Sequence, residues 1–152
     1  MRRKFTALVF ACVALLSACS YISDFVVVNE SDEPIEVSYK IRESAYEVFQ
    51  EIAKPAKIAE ADLRGSNKHW QELEAGNYRL DRGTRTIAVQ VMPHEALRLE
   101  GIPNYSEASD ADNFKIEEVL VRGSHDEVRM QGNQVRKRFM KESVSLYVFT
   151  YK

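Results

Sequence analysis

The chain has 152 residues, with 21 Lys or Arg against 23 Asp or Glu, a formal charge of −2 and 45% hydrophobic residues. That length and apolar content suit one domain with a buried core, and the mildly acidic balance gives no electrostatic reason to seek nucleic acid. With 2 Cys and 3 His, the chain has little from which to build a disulfide framework or a metal centre.

Arg2, Arg3 and Lys4 precede an apolar run from Phe5 to Leu16, softened only by Thr6 and Cys12. A basic head, an apolar middle and small residues at the exit have the layout of a secretory signal. The run is shorter than the roughly 20 apolar residues a helix needs to cross a hydrocarbon core. At its end, Leu16-Ser17-Ala18-Cys19 resembles the lipobox of bacterial lipoproteins. The resemblance covers about the first twenty residues. It implies cleavage between Ala18 and Cys19, thioether lipidation of Cys19 and acylation of the freed amine, a palmitate-type modification. It also implies a division into a signal peptide (1–18, cleaved), the lipidated Cys19 with a short tether (19–24) and a single domain (25–152).

On that reading Cys12 leaves with the signal and Cys19 is consumed by lipid, so the mature domain keeps no thiol, disulfide or cysteine metal ligand. Loss of Arg2, Arg3 and Lys4 makes it more acidic than the precursor. One acyl chain anchors only marginally and two or more hold firmly, so lipid on Cys19 is the expected attachment to a membrane. Ser20 follows Cys19, where the family's sorting pattern in diderm hosts uses Asp to retain a lipoprotein in the inner membrane. The resemblance therefore implies the outer membrane, facing the periplasm, if the host is diderm.

Past the tether, Phe25 to Asn29 is β-branched and aromatic, as strands prefer. Glu30 to Pro34 is turn chemistry, and Ile35, Val37, Tyr39 and Ile41 then alternate with polar residues, a period of two that buries one face. The pair reads as a β-hairpin. From Glu43 to Lys68 the pattern is mixed. Tyr46, Val48, Phe49 and Ile52 fit either period, Ala56 to Ala59 reads as a short edge strand beside Pro55, a single helical turn is admissible, and Leu63 to Lys68 reads as an exposed loop.

Trp70 to Leu73 and Tyr78 to Leu80 flank the turn at Gly76. Thr84 to Met92 is a strong strand, ended by Pro93, and Leu97 and Leu99 resume the alternation. Gly101 to Asn113 reads as a long surface loop, of a length often tied to function or mobility. Phe114 to Val121 is read as strand over helix, because a tight turn follows at Gly123 to Asp126 and Val128 and Met130 alternate after it. Val135 to Phe139 reads as a further strand. Val144 to Tyr151 is apolar on both faces, which suits a central strand covered on both sides. About seven to nine short strands between turn signals predict an all-β fold, an antiparallel β-sandwich, immunoglobulin-like or similar.

Chemistry is sparse. His69, His94 and His125 lie apart, without zinc-ligand spacing. Ser124-His125-Asp126 spells a triad, but three consecutive residues cannot adopt triad geometry. The pairs Asp110 and Asp112, Glu117 and Glu118, and Asp126 and Glu127 read as acidic surface. They act as a catalytic pair only if folding sets two of them about 5–10 Å apart across a cleft. Arg136-Lys137-Arg138, with Arg129 and Lys141 nearby, is the one basic cluster. It could meet an anionic lipid or polymer, each cation near such a surface contributing about 1 kcal/mol, or it could protect a strand edge from pairing, the preferred reading. Trp70 is expected in the core. The candidate contact surfaces are the edge strand Phe25 to Asn29, the loop with Tyr105, and the basic strand with Arg136, Lys137 and Arg138. No catalytic, cofactor or metal residue is assigned. The expectation is a non-catalytic, membrane-anchored module that binds an envelope protein or polymer or plays a structural part there. The alternatives are an envelope hydrolase or transferase using carboxylates assembled by the fold, and a small-ligand carrier.

Overall fold

Strands form where the β-branched and aromatic runs lie, but their partners are not those the chain order implies. The computed structural model describes residues 21–46, 54–65, 68–103, 105–106 and 114–152. The strands are β1 (Ile22–Asn29), β2 (Ile35–Ile41), β3 (Ala56–Ala59), β4 (Gln71–Glu72), β5 (Arg79–Asp81), β6 (Thr86–Val91), β7 (Glu95–Pro103), β8 (Ile116–Arg122), β9 (Glu127–Gln131), β10 (Met140–Ser143) and β11 (Leu146–Tyr151). Two short helices, α1 (Glu60–Leu63) and α2 (Asn133–Arg138), and a 3-10 turn at Glu43–Ala45 complete the described elements. A six-stranded sheet in the order β10-β11-β1-β7-β3-β4 faces a five-stranded sheet in the order β5-β6-β2-β8-β9. The result is the expected all-β sandwich. Pairing is antiparallel except between the first and last strands, where Asp24 to Asn29 run parallel to Leu146 to Tyr151.

The expected hairpin between β1 and β2 does not form. The two strands lie in different sheets, and residues 30–34 arch from one to the other. Period two tells a strand which of its faces is buried; it does not name a neighbour. Asn29, fully buried, holds the arch. Its amide donates to the carbonyls of Glu33 at 2.8 Å and Val91 at 3.1 Å, and its Oδ1 accepts from Ser31 N–H at 3.1 Å and Ser31 Oγ at 2.6 Å. Asn29→Ala removes all of these bonds from a buried site, so it is expected to lower stability by roughly 1–3 kcal/mol in urea unfolding.

Nor is β1 an edge. It sits between β11 and β7, with Phe25 and Val27 facing the space between the sheets and Val26 and Val28 facing outward. The outward pair is covered by Ile58, Ala96, Leu146, Val148 and Leu63 of α1, with Trp70 half-buried against them. Leu63, expected in an exposed loop, is thus the plug of a second core, because α1 turns it onto the sheet. Trp70 belongs to that core as expected, with the Arg98 guanidinium 5.1 Å above its ring. β11 is central and covered on both sides, as its two apolar faces required.

Val135 to Phe139, expected as a strand, is instead α2 and the residue after it. Val135 and Phe139 are both buried and four apart, which places them on one helical face; that spacing also fits a strand, and packing against β8 and β9 decided it. β3 forms over the expected residues but is not an edge, since β4 lies outside it. Strand β7 runs on to Pro103, three residues into what was expected to be loop, and β1 begins at Ile22, inside the expected tether. Residues 1–20, among them the signal and Cys19, lie outside the described residues, as do Val48, Phe49, Ile52 and 107–113.

Candidate functional site

The registers bring one set of termini together. Ile22 at the start of β1 pairs with Pro103 at the end of β7, and Asp24 pairs with Leu146 at the start of β11, itself opposite Ser143 at the end of β10. This end of the sandwich therefore gathers the beginning of the domain, the segment through Tyr105, the turn at Val144 and the helix α2. Two of the four residues expected to form a contact surface meet here. Arg136 Nη1 donates to the Tyr105 hydroxyl at 2.9 Å, and the Tyr21 hydroxyl donates to the Tyr105 carbonyl at 2.8 Å. Tyr105 itself is only 3% exposed, set edge-on to Phe25 at 5.2 Å and to Tyr147 at 5.3 Å. It is a pillar of the core and not a surface residue, because a ring that size finds more to bury against between the sheets than in a loop. Lys137 and Arg138 are exposed on α2, and Lys141 is exposed on β10 with its ammonium 5.7 Å from the Tyr147 ring.

At the same rim two β-branched side chains stand in solvent: Ile22 is 54% exposed and Val144 is 61% exposed. They are neighbours through Ser23, whose Oγ donates to the Val144 carbonyl at 3.0 Å, and through Asp24 N–H, which donates to Ser145 O at 3.0 Å. Asp24 is buried on the outer face of the sheet, with Lys68 Nζ 3.4 Å and Arg98 Nη1 3.8 Å from its oxygens. Burial raises its pKa, and these two cations only partly offset that.

Glu100 is the residue sequence reasoning missed. Phe25 pairs with Glu100 and Val26 with Arg98, so Leu99 is an extra residue in β7. Such a bulge reverses the alternation beyond it, and Glu100, expected outward from the spacing of Leu97 and Leu99, turns to the side of Phe25. It is 3% exposed. Its Oε2 accepts Lys115 N–H at 2.9 Å, while Oε1 accepts no hydrogen bond. Burial pushes its pKa up to about 7, against the pull of that amide and of the Lys115 and Arg42 charges. Nothing in the local sequence announces a bulge.

The opposite end carries the β8–β9 turn. Ser124, His125 and Asp126 are all exposed there, and the Asp126 carboxylate accepts from the Tyr151 hydroxyl, so it orients a tyrosine and not the histidine beside it. Ser31, Glu33, His125 and Asp126 line a small hollow of 230 Å³. A wider open groove of 860 Å³ runs past Tyr78, Arg79, Gln90 and Arg122. Its one carboxylate among the described residues, Glu36, is shared between two cations, lying 3.0 Å from Arg79 and 3.7 Å from Arg122.

The adjacent carboxylates are likewise committed separately. Glu117 lies 2.6 Å from Lys40, Glu118 lies 3.2 Å from Arg129, and Glu127 lies 3.1 Å from Arg122. Asp110 and Asp112 lie outside the described residues. His94 Nδ1 is 3.2 Å from Glu60 Oε2, and His69 is exposed. Among the described residues no group of three or more His, Cys, Asp or Glu converges as a metal site, and no helix is long and apolar enough to cross a membrane. Comparison with protein-family models, curated proteins and solved structures found no match for the chain.

Proposed function

We propose that this protein is a lipid-anchored component of a bacterial envelope whose β-sandwich acts through binding or structural contact and not through catalysis. The observation that carries the reading is the lipobox-like Leu16-Ser17-Ala18-Cys19 after its apolar run, placed so that only Ser20 and Tyr21 separate Cys19 from β1. Acyl chains on Cys19 supply the attachment. Ser20 directs the protein to the outer membrane of a diderm host, facing the periplasm. The partner is an envelope protein or polymer.

One observation favours an envelope hydrolase or transferase as a second reading: a buried carboxylate with a pKa near 7 is the kind of group a general acid or base needs. Against it, the partner that Glu100 has is a backbone amide, and the sandwich brings no second carboxylate to it among the described residues.

The anchor is tested with radiolabelled palmitate in cells making the parent or Cys19→Ala. The parent is expected to take up label and to lose residues 1–18. Cys19→Ala is expected to lose both the label and that cleavage. An unlabelled parent, or unchanged processing of Cys19→Ala, contradicts the lipoprotein reading.

A further inference from the structure

Ile22 and Val144 stand exposed on segments joined by the Ser23–Val144 hydrogen bond, at the end of the sandwich where the chain arrives from Cys19. We infer that this pair, with the cations of the adjoining β10 and α2, is a bilayer-contact rim that seats the domain in the headgroup layer of an anionic membrane and fixes its orientation. The inference rests on the anchor proposed above and goes beyond it, since a lipid tether alone leaves a domain free to tumble.

The first argument is reach. An extended chain spans at most about 3.3–3.6 Å per residue, so Ile22 lies within about 11 Å of Cys19. The headgroup layer on each side of the hydrocarbon is roughly 5–7 Å thick. With the acyl chains of Cys19 inserted, Ile22 stands at or barely above that layer. The start of β1 cannot lift away by bending, because Tyr21 is bonded to Tyr105 and Ser23 to Val144. Val144 is therefore brought down with Ile22.

The second argument is composition. Branched apolar side chains gain by leaving water for the acyl boundary. The exposed side chains on the adjoining elements include the cations Lys141 on β10 and Lys137 and Arg138 on α2, and Arg136 ties α2 to the same Tyr105 that Tyr21 holds. Lys141 is level with Phe25, three residues along β1 from Ile22, and cations near a membrane surface meet anionic headgroups favourably. The acid of β10, Glu142, is occupied by a two-point ion pair with Arg64 at 2.9 and 3.0 Å. With this end down, the β8–β9 turn and the hollow beside Tyr151 face away from the membrane.

The test uses the full precursor, processed in cells, extracted from membranes and reconstituted into vesicles of phosphatidylethanolamine and phosphatidylglycerol that carry a headgroup nitroxide. A fluorophore is attached through Val144→Cys or, at the opposite end, through His125→Cys. Quenching at position 144 is expected to be several-fold stronger than at 125, and Ile22→Asp is expected to reduce it. Equal quenching at the two positions in vesicle-bound protein overturns the inference, as does quenching at 144 that appears only at protein densities where copies touch. Failure of the anchor reads differently: the parent, with no added cysteine, then takes up the thiol dye at Cys19 and stays out of the vesicles.

Discussion

Phe25→Ala is expected to lower the stability of the fold by about 3–5 kcal/mol, the range for emptying a large aromatic site in a core. Phe25 is fully buried and lies at the centre of the molecule's aromatic cluster. Tyr147 stacks on it at 4.8 Å with an interplanar angle of 11°, Phe114 lies at 4.8 Å, and Tyr105 and Phe139 meet it edge-on at 5.2 and 5.7 Å. These rings come from β1, β11, α2's C-terminal end and the segments flanking 107–113, so the cavity cannot close by shifting one element. Aromatic pairs also contribute about 0.5–1.5 kcal/mol each beyond their buried area. Against a typical stability of about 5–15 kcal/mol, a loss of that size leaves the domain marginal. Urea unfolding should show a large drop in midpoint with an unchanged slope. A loss below about 1 kcal/mol would mean that Phe25 is not the centre of the core.

Glu100→Gln is expected to stabilise the protein at alkaline pH and to flatten its stability-versus-pH curve. In the unfolded chain Glu100 releases its proton near 4.5, whereas burial holds it in the folded state until about 7. Between those values the folded state binds more protons, so stability falls as pH rises. The favourable contribution is fully present below about pH 4.5 and is lost as pH passes through about 7. That gap corresponds to roughly 3 kcal/mol. Glutamine keeps an oxygen for the Lys115 amide and has nothing to ionise. The variant should therefore be more stable than the parent by roughly 2–3 kcal/mol at pH 8 and should match it within about 1 kcal/mol at pH 4. Asp24, also raised by burial, works with the same sign in both proteins and cancels from the comparison. Parallel curves for parent and variant would show that Glu100 is not buried as described.

What could be read from the residues divides along physical lines. β2 is legible because one of its faces is buried and the other wet, and β11 because both of its faces are apolar and buried. The sandwich follows from the number and spacing of such strands. Pairing is not legible, since β1 finds β11 and β7 far along the chain and not the strand that follows it. Helix α2 was hidden because Val135 and Phe139 satisfy both periods. The inward turn of Glu100 depends on one extra residue in β7, and the burial of Tyr105 depends on the space left between Phe25 and Tyr147; neither has a local signature. The exposed pair Ile22 and Val144 needed the register of β1 with β11, because the two residues lie at nearly opposite ends of the sequence.

The lipobox-like motif is the part of the candidate site that the sequence alone carries, and the structure adds that the fold starts almost directly after it. Everything proposed about location, orientation and partner depends on what happens at Cys19. Its most direct test is the intact mass of the protein isolated from membranes of the cells that make it. The account predicts a chain beginning at Cys19 that is heavier than the bare polypeptide 19–152 by a diacylglyceryl group and one amide-linked acyl chain. A mass that matches an unmodified chain, whether it begins at Met1 or at another cleavage point, would contradict it.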